Sequence, residues 1–111
     1  MKIHNYWEDL DSDKWLVKTE RGYTLVIIME LRRLIGASRP EFPEGYQFKI
    51  HAYNLVSPNN EFVRIDNHNN KPPHYHIDNQ EKSFTWISWE ESKKFFYQLA
   101  CQRFGYFIWK Y

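Results

Sequence analysis

A single cysteine, Cys101, stands among 111 residues, so no internal disulfide can brace the chain, and a reducing cytoplasm is the expected setting. No apolar run approaches the roughly eighteen residues that a membrane-spanning helix needs, so no membrane partner is expected. The first residues, Met1 to Asp13, are acidic rather than basic-then-apolar, which argues against export. Excess charge of either sign is missing too: the net charge is +1, whereas a dedicated nucleic-acid binder is usually more basic. There is no internal repeat and no low-complexity segment.

What remains is an aromatic-rich chain. With 42% apolar and 19% aromatic residues, 111 residues make one domain, 1–111, with a real core. Charge is graded along it. Glu8, Asp9, Asp11 and Asp13 face only Lys2 near the start, while Lys82, Lys93, Lys94, Arg103 and Lys110 outnumber Glu90 and Glu91 near the end. That basic end offers a face for a polyanion, although solvated charge is the plainer account.

Asp11-Ser12-Asp13 reads as a turn or cap before a strand at Trp15 to Thr19. Arg21-Gly22 is then the tip of a hairpin whose second arm is Thr24 to Leu31. Leu25, Ile28, Leu31 and Ile35 also fit a helical spacing, but the β-branched content favours the strand. Residues 37–45, with Pro40 and Pro43, form a connector. From Tyr46 strict alternation sets Tyr46, Phe48, Ile50 and Ala52 on one face and Gln47, Lys49, His51 and Tyr53 on the other. Ser57-Pro58-Asn59-Asn60 is a turn; with a two- or four-residue loop Val56 pairs with Glu61, Tyr53 with Arg64 and His51 with Asp66, whereas a bulged loop disturbs this register.

Phe62 to Asp66 and His74 to Ile77 read as strands on either side of a polar loop, and Lys82 to Ile87 as a further strand. Ser88-Trp89-Glu90-Glu91 is a capping box opening a helix with Phe95, Phe96, Leu99, Ala100 and Phe104 inward and Lys93, Lys94 and Gln98 outward, ended by Gly105. Tyr106 to Tyr111 is a last strand or a packed tail. The expected architecture is α+β: an antiparallel sheet of five or six strands with one C-terminal helix packed on one face.

The chemistry concentrates between Arg64 and Asp78, which holds His68, His74 and His76, Arg64 and Lys71, and Asp66 and Asp78, with Pro72-Pro73 and three asparagines excluding a helix. Cleavage of RNA without metal needs a base for the 2′-hydroxyl, an acid for the leaving oxygen and cations for the phosphorane. His74 and His76, two apart in an extended segment, point the same way and suit both proton roles. Asp66 orients a histidine, Arg64 and Lys71 hold phosphate, and Lys49, His51 and Tyr53 line the adjoining face as candidate substrate contacts. Two alternatives stay open. A His-x-His pair completed by His51, Asp66 or Asp78 can hold zinc, iron or manganese, and histidines in such a loop can simply satisfy buried hydrogen bonds. His4 is assigned no functional part.

Arg64-Ile65-Asp66-Asn67 at a strand end, followed after a polar loop by Pro73-His74-Tyr75-His76, resembles the signature of small toxin-antitoxin proteins of the TumE type. The likeness extends from about Tyr46 to Gly105. Where the commoner pattern has paired histidines after Asp-Asn-Ala-Pro, this loop has one, His68. The resemblance implies an RNA-cleaving toxin held inactive by a cognate antitoxin protein; the chemistry of the cluster itself makes Arg64, Asp66, His74 and His76, with His68 able to replace either histidine, the catalytic candidates, and needs no cofactor. A divalent metal at His74 and His76 is the alternative. The competing class is a non-catalytic protein-binding module of a phage or mobile element, working through exposed aromatics.

Overall fold

The strict alternation of Tyr46–Asn54 frames the sheet. Phe48, Ile50 and Ala52 are fully buried on one side, while Gln47, Lys49, His51 and Tyr53 are half-buried on the other. The computed structural model describes residues 6–36, 39–68 and 71–111, and among these it places six strands in chain order with every neighbour antiparallel. They are β1 (Tyr6–Lys18), β2 (Thr24–Ile35), β3 (Tyr46–Asn54), β4 (Phe62–Asp66), β5 (His74–Ile77) and β6 (Gln80–Ser83). A short 3-10 turn, Pro43–Gly45, precedes β3, and the helix α1 (Trp89–Phe104) closes the fold. The α+β architecture read from the sequence is the one observed. His4, Asn69 and Asn70 lie outside the described residues.

One face of the sheet carries the core. Leu25, Ile27, Met29 and Leu31 of β2, Phe48, Ile50 and Ala52 of β3, and Val63 and Ile65 of β4 meet Phe96, Leu99, Ala100 and Phe104 of α1 in a single core. The helix starts where Ser88, in extended conformation, accepts a hydrogen bond from the Glu91 amide at 3.0 Å. The Glu91 carboxylate lies 3.4 Å from Lys94 Nζ rather than turning back to the Ser88 amide. Gly105, at φ 93°, ends α1; a Cβ there would stand 2.8 Å from Arg21 Cγ, so the tail can cross the β1–β2 hairpin only over a glycine. Residues 106–111 are a packed tail rather than a strand, with Phe107 and Trp109 buried and Tyr97 Oη donating to the Phe107 carbonyl.

Several local expectations are corrected. Asp11-Ser12-Asp13 lies inside β1, which runs from Tyr6 with a register shift between Asp9 and Asp11. Acidic residues fit poorly in a central strand, but β1 is an edge, and Glu8 and Asp9 sit across from Arg33 and Arg32. The last strand is Gln80–Ser83, not Lys82 to Ile87, because the chain reverses at Asp78-Asn79, with Asp78 at φ 53°. Lys93, expected outside, is only 7% exposed: its ammonium lies 5.8 Å from the Trp89 ring and 5.2 Å from the Tyr111 ring and reaches Glu90 at 2.8 Å. Of the basic end, Lys93, Lys94 and Arg103 each meet a carboxylate, while Lys82 and Lys110 are exposed.

The β3–β4 register also differs. Asn54 N donates to Glu61 O at 2.9 Å, closing a six-residue loop over 55–60, and Asn54 Oδ1 accepts from Val56 N at 3.3 Å. His51 therefore faces Arg64, Tyr53 faces Phe62 and Lys49 faces Asp66. A slip of two residues leaves every side chain on its expected face and changes its partners.

Candidate functional site

The face that α1 leaves uncovered carries two rows of side chains across the strands. In one, Ile28, His51, Arg64, His76 and Glu81 are successive cross-strand partners; in the other, Glu30, Lys49, Asp66, His74 and Ser83. The rows exist because β2 to β6 alternate in step, so each residue beside a core position in sequence lands on this side.

Asp66 is the centre. Only 3% exposed, it holds Arg64 Nε at 2.8 Å from Oδ2 and His74 Nε2 at 3.2 Å from Oδ1, and Oδ1 also accepts from the His68 amide at 2.9 Å. The Arg64 contact lacks hydrogen-bond alignment, which leaves Oδ2 buried without a donor among the described residues. His74 Nδ1 lies 2.9 Å from the Pro72 carbonyl, which can only accept, so Nδ1 carries a proton and Nε2 is turned towards the carboxylates. The rings of His74 and His76 are 5.0 Å apart. His76 Nε2 is buried without a hydrogen bond among the described residues, 3.4 Å from Glu81 Oε1. Ligand atoms of Asp66, His74 and His76 lie within 4.8 Å of one another, which makes this trio the group able to hold a metal among the described residues.

The electrostatics favour neutral imidazole. Burial, then Arg64 and the neighbouring His74, lowers the pKa of His76. Burial, then Arg64 and Lys49, lowers that of His51 to about 4. His68 is lowered as well, mainly by burial against the opposing pull of Asp66. The Lys71 hydrogen bond holds the Glu81 carboxyl below the usual range.

The sequence-named residues divide. Arg64, Asp66, His74 and His76 converge. His51 adjoins them, its ring 5.2 Å from Tyr53 and 5.6 Å from Phe62, and Phe62 is 6.4 Å from His76, so rings run in a stripe along the face. Lys49 stands across from Asp66 and reaches Glu30 at 3.8 Å. His68 touches the group through Asp66 and lines a separate groove of about 360 Å³ with Asp9, Asp11, Glu30, Arg32 and Gln47. Lys71 Nζ is bound to Glu81 at 3.1 Å. Asp78, weighed as a ligand, is instead held by Arg103 at 3.0 Å, with its carboxylate accepting from the Phe62 amide at 3.1 Å.

Two participants are new. Glu81 Oε1 sits 3.6 Å from His74 Nε2 and 3.4 Å from His76 Nε2. Its signal was the Asp78-Asn79 reversal, which pairs Ile77 with Gln80 and thereby His76 with Glu81. Asn67, fully buried, takes the place of a strand residue: its Oδ1 accepts from Phe48 N at 2.9 Å, and its Nδ2 donates to the Tyr46 and Glu41 carbonyls at 2.8 and 3.0 Å. It fixes the end of β4 and so the position of Asp66 beside it. No protein-family model, curated protein or solved structure matches the chain.

Proposed function

We propose that the uncovered face binds RNA and cleaves it by metal-independent transesterification, and that the protein is a cytoplasmic toxin restrained by a cognate antitoxin. The observation that carries the chemistry is one carboxylate, Asp66, holding both Arg64 and His74 while His76 stands 5.0 Å from His74 ring to ring. The TumE-like motifs support the toxin and antitoxin parts.

His76, kept neutral by burial and Arg64, is the base that takes the 2′-hydroxyl proton. The 2′-oxygen attacks phosphorus, the bond to the 5′-oxygen breaks, and a 2′,3′-cyclic phosphate is left. His74, both of whose ring nitrogens face acceptors, supplies the proton to the departing 5′-oxygen. Arg64, with a third of its side chain exposed, offers the fork that steadies the phosphorane. Phe62 and Tyr53 supply ring faces on which bases stack, a sequence-tolerant contact. Glu81, exposed and tethered to Lys71, swings aside to open His76 Nε2 to substrate.

The test is expression of the chain alone in bacteria together with cleavage of RNA by purified protein. Toxicity, and 2′,3′-cyclic phosphate ends that persist in EDTA, are expected. Wild-type cleavage by a folded His74→Ala/His76→Ala protein would sink the proposal.

A further inference from the structure

We propose that Asp66, His74, His76 and Glu81 bind one divalent transition-metal ion of the zinc class, and that the bound ion holds the histidine pair inactive. The inhibitory half rests on the ribonuclease reading above; the binding half does not.

The donor spacing carries the first half. Around a tetrahedral ion with bonds of about 2.0–2.1 Å, neighbouring donor atoms stand roughly 3.3 Å apart. Here Asp66 Oδ1 and His74 Nε2 are 3.2 Å apart, His74 Nε2 and Glu81 Oε1 3.6 Å, and His76 Nε2 and Glu81 Oε1 3.4 Å. These three of the six edges have the length of ligand-to-ligand edges, and Asp66, His74 and His76 lie within 4.8 Å of one another, so side-chain adjustment, with exposed Glu81 moving in, closes the set.

Tautomer and burial agree. The proton that His74 Nδ1 gives to Pro72 O leaves the neutral ring with its Nε2 lone pair aimed at two carboxylate oxygens. Lone pair against anion is repulsive unless a proton or a cation lies between. A second proton on His74 relieves that one contact; a single cation also gives a partner to the buried, unpartnered His76 Nε2. The Asp66 side chain, 96% buried by its 4% exposure, has nowhere else to turn. An outer acceptor on the far ring nitrogen is the usual companion of a metal-bound histidine.

The donor set selects the ion. Two imidazoles and two carboxylates suit zinc, whereas magnesium and calcium demand oxygen ligands in greater number. Charge sets the strength: Arg64 and Lys71 already offset the two carboxylates, so the site is weaker than a structural zinc site and its occupancy is reversible. Glu81 lies at the surface, so its position is the exchangeable one. When the ion binds both Nε2 atoms, the lone pairs that would carry protons in RNA cleavage are no longer available.

The experiment uses the full chain stripped with chelator and titrated with zinc chloride alone, followed by calorimetry and by imidazole ¹⁵N NMR. One ion per chain is expected, with the Nε2 resonances of two histidines shifting. His74→Ala and, as a gentler replacement, His76→Gln are each expected to weaken binding by about 100-fold, at least what loss of an outer partner costs; Glu81→Gln weakens it by about 10-fold. No saturable binding, or unchanged binding in both histidine variants with native circular dichroism, overturns the site. In the cleavage assay, one equivalent of zinc is expected to suppress an activity that EDTA leaves intact. Activation by zinc overturns the inhibitory half, and absence of cleavage with and without zinc removes that half along with the ribonuclease reading while the site stands.

Discussion

The two faces of one sheet are built from alternate residues of the same strands, yet they differ in kind. The covered face, from Leu25 to Ile65, is apolar and closed by α1 and the tail. The other buries, among the described residues, the ionisable atoms His51 Nε2, Arg64 Nε, His76 Nε2 and Asp66 Oδ2 without hydrogen-bond partners, where the covered side leaves the indole nitrogens of Trp86 and Trp109. Unpartnered buried polar atoms cost stability, and fold alone gives no reason to gather four ionisable ones on a face that a few apolar residues would serve. The covered face shows what this sequence does when it needs only stability; the contrast marks the other as the working side. It follows that substitutions on the two faces should separate activity from stability.

The largest effect is expected on the working side. Loss of a general acid or base costs roughly 100- to 10,000-fold in rate, so His74→Ala or His76→Ala should abolish RNA cleavage and toxicity in protein that is still folded, although His74→Ala, at a residue only 7% exposed and paired with Asp66, also costs about 1–3 kcal/mol of stability. Arg64→Ala removes one preorganised donor and should cost about 100- to 1000-fold. Next comes the covered face. Phe96 is fully buried in the core, and Phe96→Ala should destabilise the domain by about 3–5 kcal/mol in urea unfolding. At temperatures where the variant is still folded its cleavage rate should be near wild type; a rate loss matching that of His74→Ala would erase the distinction between faces.

The faces were legible in the sequence to different depths. Face membership depends only on period two, and the two-residue slip at 55–60 left it intact, so Lys49, His51, Arg64 and Asp66 were placed together although their partners were not. The partners depended on a loop closed by the Asn54 side chain, a tertiary detail that turn propensity does not carry. The helix was readable because its signals, Ser88 at the cap and a 3.6-residue stripe, are local. Lys93 was misplaced because what covers it, Tyr111, arrives from outside the helix. Glu81 was missed because Asp78-Asn79, read as part of a polar stretch, is a hairpin turn whose φ of 53° only Asn, Asp or Gly takes readily.

A third prediction uses protons to sharpen the contrast. His51, with its pKa lowered to about 4 in the fold against 6.5 unfolded, stays neutral where the unfolded chain takes up a proton. Above pH 6.5 it is neutral in both states and contributes no pH dependence. As pH falls from 6.5 towards about 4 the unfolded state is protonated first and stability is lost; below that the loss from this group is complete. After allowance for its partial exposure the loss is on the order of 2 kcal/mol. Burial of His68 and His76 acts in the same direction. Urea midpoints measured in chelator between pH 4 and 7 should show the slope, and His51→Gln should flatten it; an unchanged slope in that variant would place the acid sensitivity elsewhere.

The smallest effect belongs to the helix cap, and it tests whether the faces are independent. Ser88 Oγ accepts from Glu91 N at 3.0 Å, while the Ser88 carbonyl takes the Ser92 amide at 3.0 Å and the Ser92 hydroxyl at 2.8 Å. Ser88→Ala removes only the first of these. Loss of such a cap typically costs about 1 kcal/mol, which for a domain of this size lowers the melting temperature by about 3–6 °C. The helix packs on Val63 and Ile65, the neighbours in sequence of Arg64 and Asp66, so a frayed first turn has a short mechanical path to the site. Yet β4 is also fixed from the other side, by Asn67 and its three hydrogen bonds to the β3 end and the connector. If that latch sets the position of Asp66, Ser88→Ala will lower the melting temperature and leave zinc affinity and cleavage rate within about twofold. If α1 sets it, both will fall together, and the working face will have to be regarded as part of the core it alternates with.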